Sequence, residues 1–493
     1  MDISALFSEL FSLSTLLFIL LGSFVGLVMG ALPGLGTMLA IVILLPITYV
    51  ISPLGSILML LSAYQSSEYG GSISAIILGI PGTPAAAATV LDGYALAKNE
   101  SPGKAISYSL VASTIGGIFG GLVLIFLSKP LATFALHLSD PEFFLICIIG
   151  VIAVGMLSTK DKLKSLISVV IGLMLGTIGM DLFTGKMRFT LDRPELSDGI
   201  NIVALMIGVF AFSEILSMLE EGPDKRHQFD KKSLKGGLTW KELKGVRKPI
   251  TIGSVIGSVV GIFPGLGVAA SSWFSYMAAK RFSKDKEKFG KGSPEGIAGP
   301  ESANNATVGG SLVPLLSLGI PGSPAIAVVM GAFIIHGIQP GPLVFSSEKT
   351  LVYGIFYGFI ITTIVMYLLG RLLTPLFVKA IVVPYSYLIP IIVLLLMVGI
   401  YSSKQLMFEI VLALVLGVAC YVLKKLEFSL PSIVLAFVLG PIMEESLRRT
   451  LSISQGSYSI FFTRTYSVAL LIVIAALIAV PLLKKGNLFK TKN

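Results

Sequence analysis

Apolar residues dominate this chain in runs, and short polar connectors separate the runs. A helix needs about 20 residues to cross about 30 Å of hydrocarbon, and several of the runs are shorter than that. The runs fall approximately at 13–32, 37–51, 73–80, 85–97, 105–127, 142–157, 163–180, 200–219, 250–263, 268–279, 308–320, 325–335, 351–377, 385–400, 406–422, 431–443 and 466–483. The pattern predicts an all-α polytopic membrane protein with roughly 10–12 spans, including broken helices and re-entrant hairpins.

The shorter runs adjoin two Pro-Gly motifs, and each motif occurs twice. PGLG begins at Pro33 and again at Pro264, 231 positions later. GIPGTP begins at Gly79, and GIPGSP begins at Gly319, 240 positions later. Because Gly permits unusual backbone angles and Pro removes an amide donor, each motif should interrupt a helix. A helix kink or a tight packing contact would be the better explanation of a single GIPG copy, and a plain loop between two helices is the alternative for PGLG.

The motifs follow the same order in each half of the sequence: PGLG, a GGS step, GIPG, and then four longer apolar segments. Duplicated broken segments are typical of secondary transporters, and the sequence therefore predicts two structural repeats. If each half crosses the membrane an odd number of times, the repeats are inverted, and this is the arrangement we expect. The predicted divisions are a first membrane repeat (1–220), a basic cytoplasmic linker (221–249), a second membrane repeat (250–450), and a last helix with a basic cytoplasmic tail (451–493).

Helix breaks inside a membrane expose backbone amides and carbonyls, and the amide end of a helix carries about half a positive charge. Two facing breaks would offer amides to a carboxylate and carbonyls to a cation. The candidate substrate-binding residues are Pro33, Gly34, Gly36, Gly79, Pro81, Gly82, Thr83, Pro264, Gly265, Gly267, Gly319, Pro321, Gly322 and Ser323.

A polar cluster precedes each GIPG motif. Carboxylates and amides in apolar surroundings are unfavourable unless they pair or line a wet cavity. Asn and Ser oxygens suit sodium coordination, and a carboxylate could instead carry a proton. The candidate coupling-ion residues are Ser67, Glu68, Ser72, Asn304, Asn305, Thr307 and Ser311. The alternative is a solvated loop at the membrane rim.

Charge is scarce, at 13% of residues, and the formal net charge is +10. Lys and Arg cluster at 225–248, at 280–291 and in the tail, which the positive-inside rule places in the cytoplasm. PGLG lies between the first two basic clusters, so this stretch is either a re-entrant hairpin with PGLG at its tip or one long tilted span. We favour the hairpin. Nothing in the basic residues indicates a nucleic-acid site.

Other ionisable residues have less specific expectations. Asp92 and His336 lie on the segments after the two GIPG motifs, and His336 could titrate near neutral pH. Glu214, and the pair Glu444 and Glu445 before two arginines, are expected to be charge-paired anchors at helix ends. The two cysteines lie in apolar runs and indicate neither a disulfide nor a metal site. No cofactor is expected beyond a sodium ion.

At these residues the chain resembles the large membrane subunit of the tripartite tricarboxylate transporter family, the TctA family. The resemblance covers nearly the whole length. It rests most strongly on PESANNATVGGSLVPLLSLGIPGSPAIAVVMGAFIIHGIQPGP at 300–342. YGGSISAIILGIPGTPAAAATVLDGYALAK at 69–98, VLGPIMEESLRR at 438–449 and SIFFTR at 459–464 support it. The family often has Pro after that last Arg, where this chain has Thr465.

The resemblance implies a subunit of the prokaryotic inner membrane that works with a small four-span membrane subunit and an extracytoplasmic solute-binding protein. Such systems import carboxylates, citrate being the namesake, with an ion gradient instead of ATP. The absence of a Walker A pattern agrees with ion coupling. A single-component transporter for another organic anion and a passive channel remain alternatives. A membrane enzyme would need a converging catalytic set, which the sequence does not offer, and we expect no enzyme.

Overall fold

The computed structural model describes residues 3–157, 161–181, 183–221, 237–380 and 385–489. The α-helices up to the middle of the chain are α1 (Ile3–Leu10), α2 (Leu13–Ala31), α3 (Gly36–Leu44), α4 (Pro53–Leu78), α5 (Ala87–Asn99), α6 (Pro102–Ala135), α7 (Asp140–Leu157), α8 (Lys162–Gly176), α9 (Ile202–Met206) and α10 (Ser213–Glu221). Those that follow are α11 (Trp240–Ile262), α12 (Gly267–Phe282), α13 (Pro294–Leu318), α14 (Pro324–Ile335), α15 (Val344–Ser347), α16 (Lys349–Ala380), α17 (Tyr385–Lys404), α18 (Met407–Lys425), α19 (Leu430–Ile453), α20 (Ile460–Thr463) and α21 (Thr465–Phe489).

Other regular structure is short. A π-helical segment, Ile207–Phe212, joins α9 to α10 into one continuous rod. Short 3₁₀ segments lie at Leu45–Val50, Pro84–Ala86, Pro194–Leu196 and Lys286–Lys288. Two-residue strands β1 (Gly179–Met180) and β2 (Met187–Arg188) pair antiparallel, with Gly179 opposite Arg188.

Six of the described helical segments are long and apolar enough to cross a membrane: Leu13–Ala31, Pro102–Ala135, Ile202–Glu220, Lys349–Leu373, Met407–Lys425 and Leu430–Ile453. Shorter apolar helices lie at Gly36–Val50, Pro324–Ile335, Ile389–Ser402 and Thr465–Leu477. These helices confirm the all-α polytopic class. The predicted total of roughly 10–12 spans stays a prediction, because it includes apolar segments that are too short to cross a membrane as single helices.

The described chain divides into two compact units. Unit 1 comprises Met1–Ala132 with Asn201–Lys425, and unit 2 comprises Thr133–Ile200 with Leu426–Asn493. All four Pro-Gly motifs lie in unit 1. The division into two sequence repeats stays a prediction, and residues 222–236 of the expected linker and 490–493 of the expected tail lie outside the described residues.

Helices α4 and α13 of unit 1 lead into the two GIPG breaks. Ser52 caps α4 through the Gly55 amide, and Pro53 follows at the first helical position, where a missing N–H is harmless. Both helices run on to the first Gly of GIPG. The apolar segments at 73–80 and 308–320 are therefore not separate half-helices, as their length suggested, but the C-terminal ends of helices of 26 and 25 residues.

Both PGLG motifs form tight connections between a long helix and a short one. Gly34 and Gly36 have φ values of 89° and 64°, and Gly265 and Gly267 have 92° and 68°. L-residues with side chains rarely adopt these angles, so glycine is required at all four positions. The equal backbone geometry supports the prediction of repeats, while inversion of the halves stays a prediction.

The second PGLG connection is a hairpin. Helices α11 and α12 pack against each other and against α13. Lys248, near the start of α11, donates from Nζ to the carbonyl oxygen of Phe282, the last residue of α12, at 3.2 Å. The first half of α11 therefore lies beside the end of α12, as expected for a hairpin that enters and leaves on one side. The alternative of a single tilted span is wrong.

Small residues bring the helices of unit 1 into backbone contact. Gly22, Gly26 and Gly30 of α2 face the backbone of α4 so closely that a Cβ would fall 2.1 to 2.3 Å from a carbonyl oxygen. In α11, Gly253, Gly257 and Gly261 take the same four-residue spacing against α13. Close approach through small residues is a common way for helices to associate in a membrane.

Unit 2 carries a charged cluster beside the β1–β2 hairpin. Arg188 donates to Glu444 at 2.7 Å, and Arg448 pairs with Asp181 at 3.0 Å and with Glu444 at 2.8 Å. The cluster borders a cavity of about 360 Å³ that Phe183 also lines. Glu444 is thus charge-paired, as expected, and so are Glu445, with Arg449, and Glu214, with Lys424 in unit 1.

Candidate binding site at the helix breaks

Both GIPG motifs break the chain in the same way. α4 ends at Gly79 with φ 71° and ψ 16°, and α13 ends at Gly319 with φ 74° and ψ 17°. This left-handed conformation is a common helix C-cap that favours glycine. The chain then folds back, so that the Gly82 amide donates to the Gly71 carbonyl at 3.1 Å. A new helical segment begins at the Pro that ends each motif.

The second copy folds back equivalently, with the Gly322 amide donating to the Ser311 carbonyl at 3.3 Å. The amides of Gly82 and Gly322 are therefore bonded within the chain in this arrangement. The amides of Gly79, Gly319 and Ile320 are bonded within the chain as well. The predicted roles of these glycines in holding a substrate stay predictions.

The hydroxyls that follow the two glycines differ. Ser323 accepts the Ile326 amide as the N-cap of α14, and its Oγ lies 3.3 Å from the Tyr64 hydroxyl. Thr83 packs against Gly71, where a Cβ would meet its Oγ1 at 2.5 Å. Thr83 is buried, yet its Oγ1 makes no hydrogen bond among the described residues.

Glu68 lies in the middle of α4, fully buried. The hydroxyl of Thr37, the residue directly after the first PGLG, donates to Glu68 Oε1 at 2.8 Å, and the Ser67 hydroxyl donates to Thr37 at 3.2 Å. The other carboxyl oxygen, Oε2, has no hydrogen-bond partner among the described residues. The first PGLG and the first polar cluster are thus joined at one carboxyl group.

Asn304 and Asn305 connect the two polar clusters across the halves of the sequence. Asn304 Nδ2 donates to the Glu68 carbonyl at 3.2 Å, and Asn305 Nδ2 donates to the Gln65 carbonyl at 3.1 Å. Neither side-chain oxygen has a partner in the described part of the chain. Three of the predicted coupling-ion residues, Glu68, Asn304 and Asn305, therefore lie along the α4–α13 contact. A fourth, Ser67, faces Thr37 instead.

Glu301, on α13, is a second buried glutamate of unit 1. It accepts hydrogen bonds from Thr89 at 2.5 Å, from Ser109 at 3.1 Å and from Ser113 at 3.0 Å. Ser72, a predicted coupling-ion residue, contacts this set through Ser109 at 2.5 Å. Ser72 therefore belongs to the surroundings of Glu301.

The remaining candidates bond to residues of the second half of the sequence. The Thr307 hydroxyl lies 2.7 Å from Ser271 Oγ, next to the second PGLG, and Ser311 donates to the Val308 carbonyl at 2.9 Å. The polar clusters are therefore buried helix surfaces, and a solvated rim loop is wrong for both.

Sequence reasoning did not identify several residues of this region. Thr89 lies on α5, Ser109 and Ser113 on α6, and Thr362 and Thr363 on α16, where both contact Gln65. Hydroxyls in apolar helices usually bond to their own backbone, so single Ser and Thr residues carry no signal of a shared site. Ser109 and Ser113 stand four residues apart, which places them on one helix face and was the available sign.

Asp92 has a structural position instead of a binding one. Its Oδ1 accepts the amides of Gly290, Gly292 and Ser293 at 2.8, 3.0 and 2.7 Å, and its Oδ2 accepts the Tyr276 hydroxyl at 2.9 Å. It thus fixes the connection between α12 and α13. His336 is the C-cap of α14 and contacts the Ser56 hydroxyl at 2.9 Å. Its titration near neutral pH stays a prediction.

Within the described ranges, no group of three or more His, Cys, Asp and Glu side chains converges as a metal site. The available ligands at the breaks are instead carboxyl, amide and hydroxyl oxygens, which favour hard cations. Together the breaks and the two carboxyls form a buried polar region in apolar surroundings, which is unfavourable without a ligand or proton to balance it.

Comparisons with known proteins indicate the family of the chain. The sequence model of the family described as "Tripartite tricarboxylate transporter TctA family" matches residues 16–435. The chain is 38% identical over 462 residues, 94% of its length and 92% of the relative's, to an uncharacterized 52.8 kDa protein in the TAR-I ttuC' 3' region of Agrobacterium vitis. It is 41% identical over 215 residues, 44% of its length and 89% of the relative's, to an uncharacterized protein in the TAR-II ttuC' 3' region of the same organism. No solved structure matches the chain.

Proposed function

The chain belongs to the tripartite tricarboxylate transporter TctA family, and we propose that it is the large membrane subunit of a binding-protein-dependent secondary transporter that imports di- or tricarboxylates. The partners would be a small four-span membrane subunit and an extracytoplasmic solute-binding protein. The lipid bilayer would be the prokaryotic inner membrane, with the C-terminus in the cytoplasm. The driving force would be a sodium or proton gradient.

The observation that carries the proposal is the pairing of helix breaks with buried polar residues. In unit 1 each GIPG break ends a long helix that itself carries a polar cluster at mid-length. Broken helices of this kind bring backbone dipoles into the apolar interior, where water does not compete with a ligand. An anionic substrate would meet amide ends at the breaks, and a cation would meet the oxygens of the clusters.

The substrate would bind between the two breaks. Thr83 and Ser323 occupy corresponding positions after the two motifs and lie buried at the start of the following helical segments. Carboxylates bind favourably at helix N-termini, because free amides and the helix dipole both attract negative charge. Movement of one half against the other around this site would then expose it alternately to each side.

The proposal is tested by uptake of radiolabelled citrate into vesicles that contain this chain, the small subunit and the binding protein. Sodium and pH gradients are imposed separately. We expect accumulation above equilibrium that depends on the binding protein and on one of the two gradients. Uptake that only equilibrates would indicate a passive channel, and accumulation without the binding protein would indicate a single-component transporter. Conversion of substrate by the purified protein without a compartment would indicate an enzyme.

A further inference from the structure

Unit 1 holds two glutamates whose charge is not balanced by a basic residue. Glu68 is 1% exposed and Glu301 is fully buried. None of the ion pairs formed by the described residues involves either carboxyl group; the pairs of Lys104, Lys424 and Lys425 all lie with other acids. An isolated buried carboxylate is strongly unfavourable, so each group must be neutralised by a proton or by a cation.

The two glutamates differ in what surrounds them. Three hydroxyls donate to Glu301, so both of its carboxyl oxygens are satisfied. Glu68 receives one hydroxyl, from Thr37, and its Oε2 receives none from the described residues. Glu301 thus sits among donors, whereas Glu68 has an open coordination position.

Two further buried oxygens without a partner in the described part of the chain belong to residues that neighbour Glu68 in the structure. Asn304 bonds to the Glu68 backbone through its Nδ2, and Thr83 packs against Gly71, three residues after Glu68 on α4. Both residues are at least 98% buried. Thr83 Oγ1 and Asn304 Oδ1 make no hydrogen bond among the described residues. The Asn304 amide nitrogen is already bonded to the Glu68 carbonyl, which keeps its amide group oriented with the oxygen available.

We propose that Glu68 Oε2, Thr83 Oγ1 and Asn304 Oδ1 form a binding site for a sodium ion. The inference rests on the proposed function, since it assigns the coupling ion of that transporter. Oxygen-only ligands suit a hard cation, and a single carboxylate neutralises a single positive charge. A divalent cation would need a second carboxylate, and the oxygens of Glu301, the other buried glutamate without an ion pair among the described residues, are occupied by hydroxyls.

The site joins three parts of the chain that move independently if the breaks act as hinges. Glu68 belongs to α4, Thr83 to the GIPGTP connection, and Asn304 to α13. A bound cation would hold the first break against the second half of the sequence. Occupancy would then favour the arrangement in which both breaks are assembled, which links ion binding to substrate binding.

The experiment measures thermal unfolding of the purified full-length chain in detergent during titration with NaCl, with KCl and choline chloride at equal ionic strength. Equilibrium binding of radioactive ²²Na⁺ provides a second readout. We expect a rise in Tm specific to sodium in the wild type, no such rise in Glu68→Gln, and at least a tenfold weaker midpoint in Asn304→Ala and Thr83→Val.

The matched controls are Glu409→Gln, which alters another buried glutamate of unit 1, and Thr363→Val, which removes another buried hydroxyl. Both should keep the sodium response of the wild type. The proposal is overturned if sodium stabilises the wild type no more than potassium does, or if Glu68→Gln keeps the response. If Glu68→Gln does not fold, the proposal is tested by comparing ²²Na⁺ binding between the wild type and Thr83→Val.

The site and the proposed function can fail separately. Sodium binding that is lost in Glu68→Gln, in a protein that transports no carboxylate, would support the site and overturn the function. Carboxylate uptake driven by a proton gradient, without sodium-specific stabilisation, would support the function and overturn the site.

Discussion

Gly82 and Gly30 lie so close that a Cβ atom on Gly82 would fall 2.0 Å from the Gly30 carbonyl oxygen. Gly322 and Gly261 form the corresponding contact in the second half, at 2.7 Å. Neither Gly82 nor Gly322 has a positive φ, so these glycines are required for space and not for backbone angle. Each GIPG connection is therefore held against the last turn of the long helix that precedes a PGLG motif.

Replacing Gly82 with Ala should lower stability by about 1–3 kcal/mol, because a methyl group would overlap backbone atoms that cannot move independently. The measurement is thermal unfolding in detergent, together with uptake in vesicles. Gly245→Ala is the control, since Gly245 lies in α11 with no atom within 4 Å of a Cβ. Wild-type stability in Gly82→Ala would contradict the packing described here. A bulkier residue at Gly82 or Gly322 should abolish uptake in protein that still inserts.

Asp92→Ala should destabilise unit 1 more than Tyr276→Phe does. The first variant leaves the amides of Gly290, Gly292 and Ser293 without their acceptor. Ser293 is the buried one of the three, and an unsatisfied buried amide costs about 1–3 kcal/mol. The second variant removes one hydroxyl donor from a carboxylate that keeps its other bonds. Thermal unfolding of both variants gives the comparison. Equal losses would mean that the three amide bonds contribute little.

Arg464→Ala should destabilise unit 2 because it leaves the buried Glu142 carboxylate without its cation. Arg464 Nε donates to Glu142 Oε1 at 2.8 Å, and the Glu142 side chain is fully buried. The expected loss is about 1–3 kcal/mol, less than for a fully buried pair because the arginine is 38% exposed. Adding Glu142→Gln should recover part of the loss. Strictly additive effects in this double-mutant cycle would show that the two side chains do not interact.

Glu242→Gln should reveal a pH-dependent contribution at the start of α11. Lys104 donates to Glu242, and the Thr239 amide and hydroxyl add to this, so the pKa of Glu242 falls from 4.5 to about 2. The folded pKa lies below the unfolded one, so the stabilisation is present above pH 4.5 and declines as the pH falls toward 2. The difference in Tm between wild type and Glu242→Gln should therefore be largest near neutral pH and shrink on acidification. A constant difference would contradict the assignment.

The sequence identified the membrane class and the positions of the breaks because both depend on local properties. Apolar runs separated from water have few alternatives to helices, and Pro-Gly pairs interrupt them wherever they occur. Helix ends were less certain, since a polar cluster interrupts the apolar sequence of α4 at its middle and resembles a loop. Burial of that cluster against α13 made it helical throughout.

The hydrogen-bond partners of the candidate residues depend on tertiary packing, which no local sequence pattern indicates. The sequence predicted Glu68, Thr83 and Asn304 as separate members of separate motifs, but not that they meet. The four-residue spacing of Ser109 and Ser113 placed them on one helix face, but it did not indicate that they and Thr89 surround Glu301.

By itself, then, the sequence determined that this is a helical membrane protein with paired helix breaks, because hydrophobicity and backbone chemistry act within a few residues. Only the tertiary structure decided which carboxyl group is surrounded by donors and which by unpartnered oxygens. That difference depends on contacts between residues more than two hundred positions apart, such as Glu68 with Asn304. Because these residues are buried, each polar group needs a specific neighbouring residue as its partner, since no water can replace that partner.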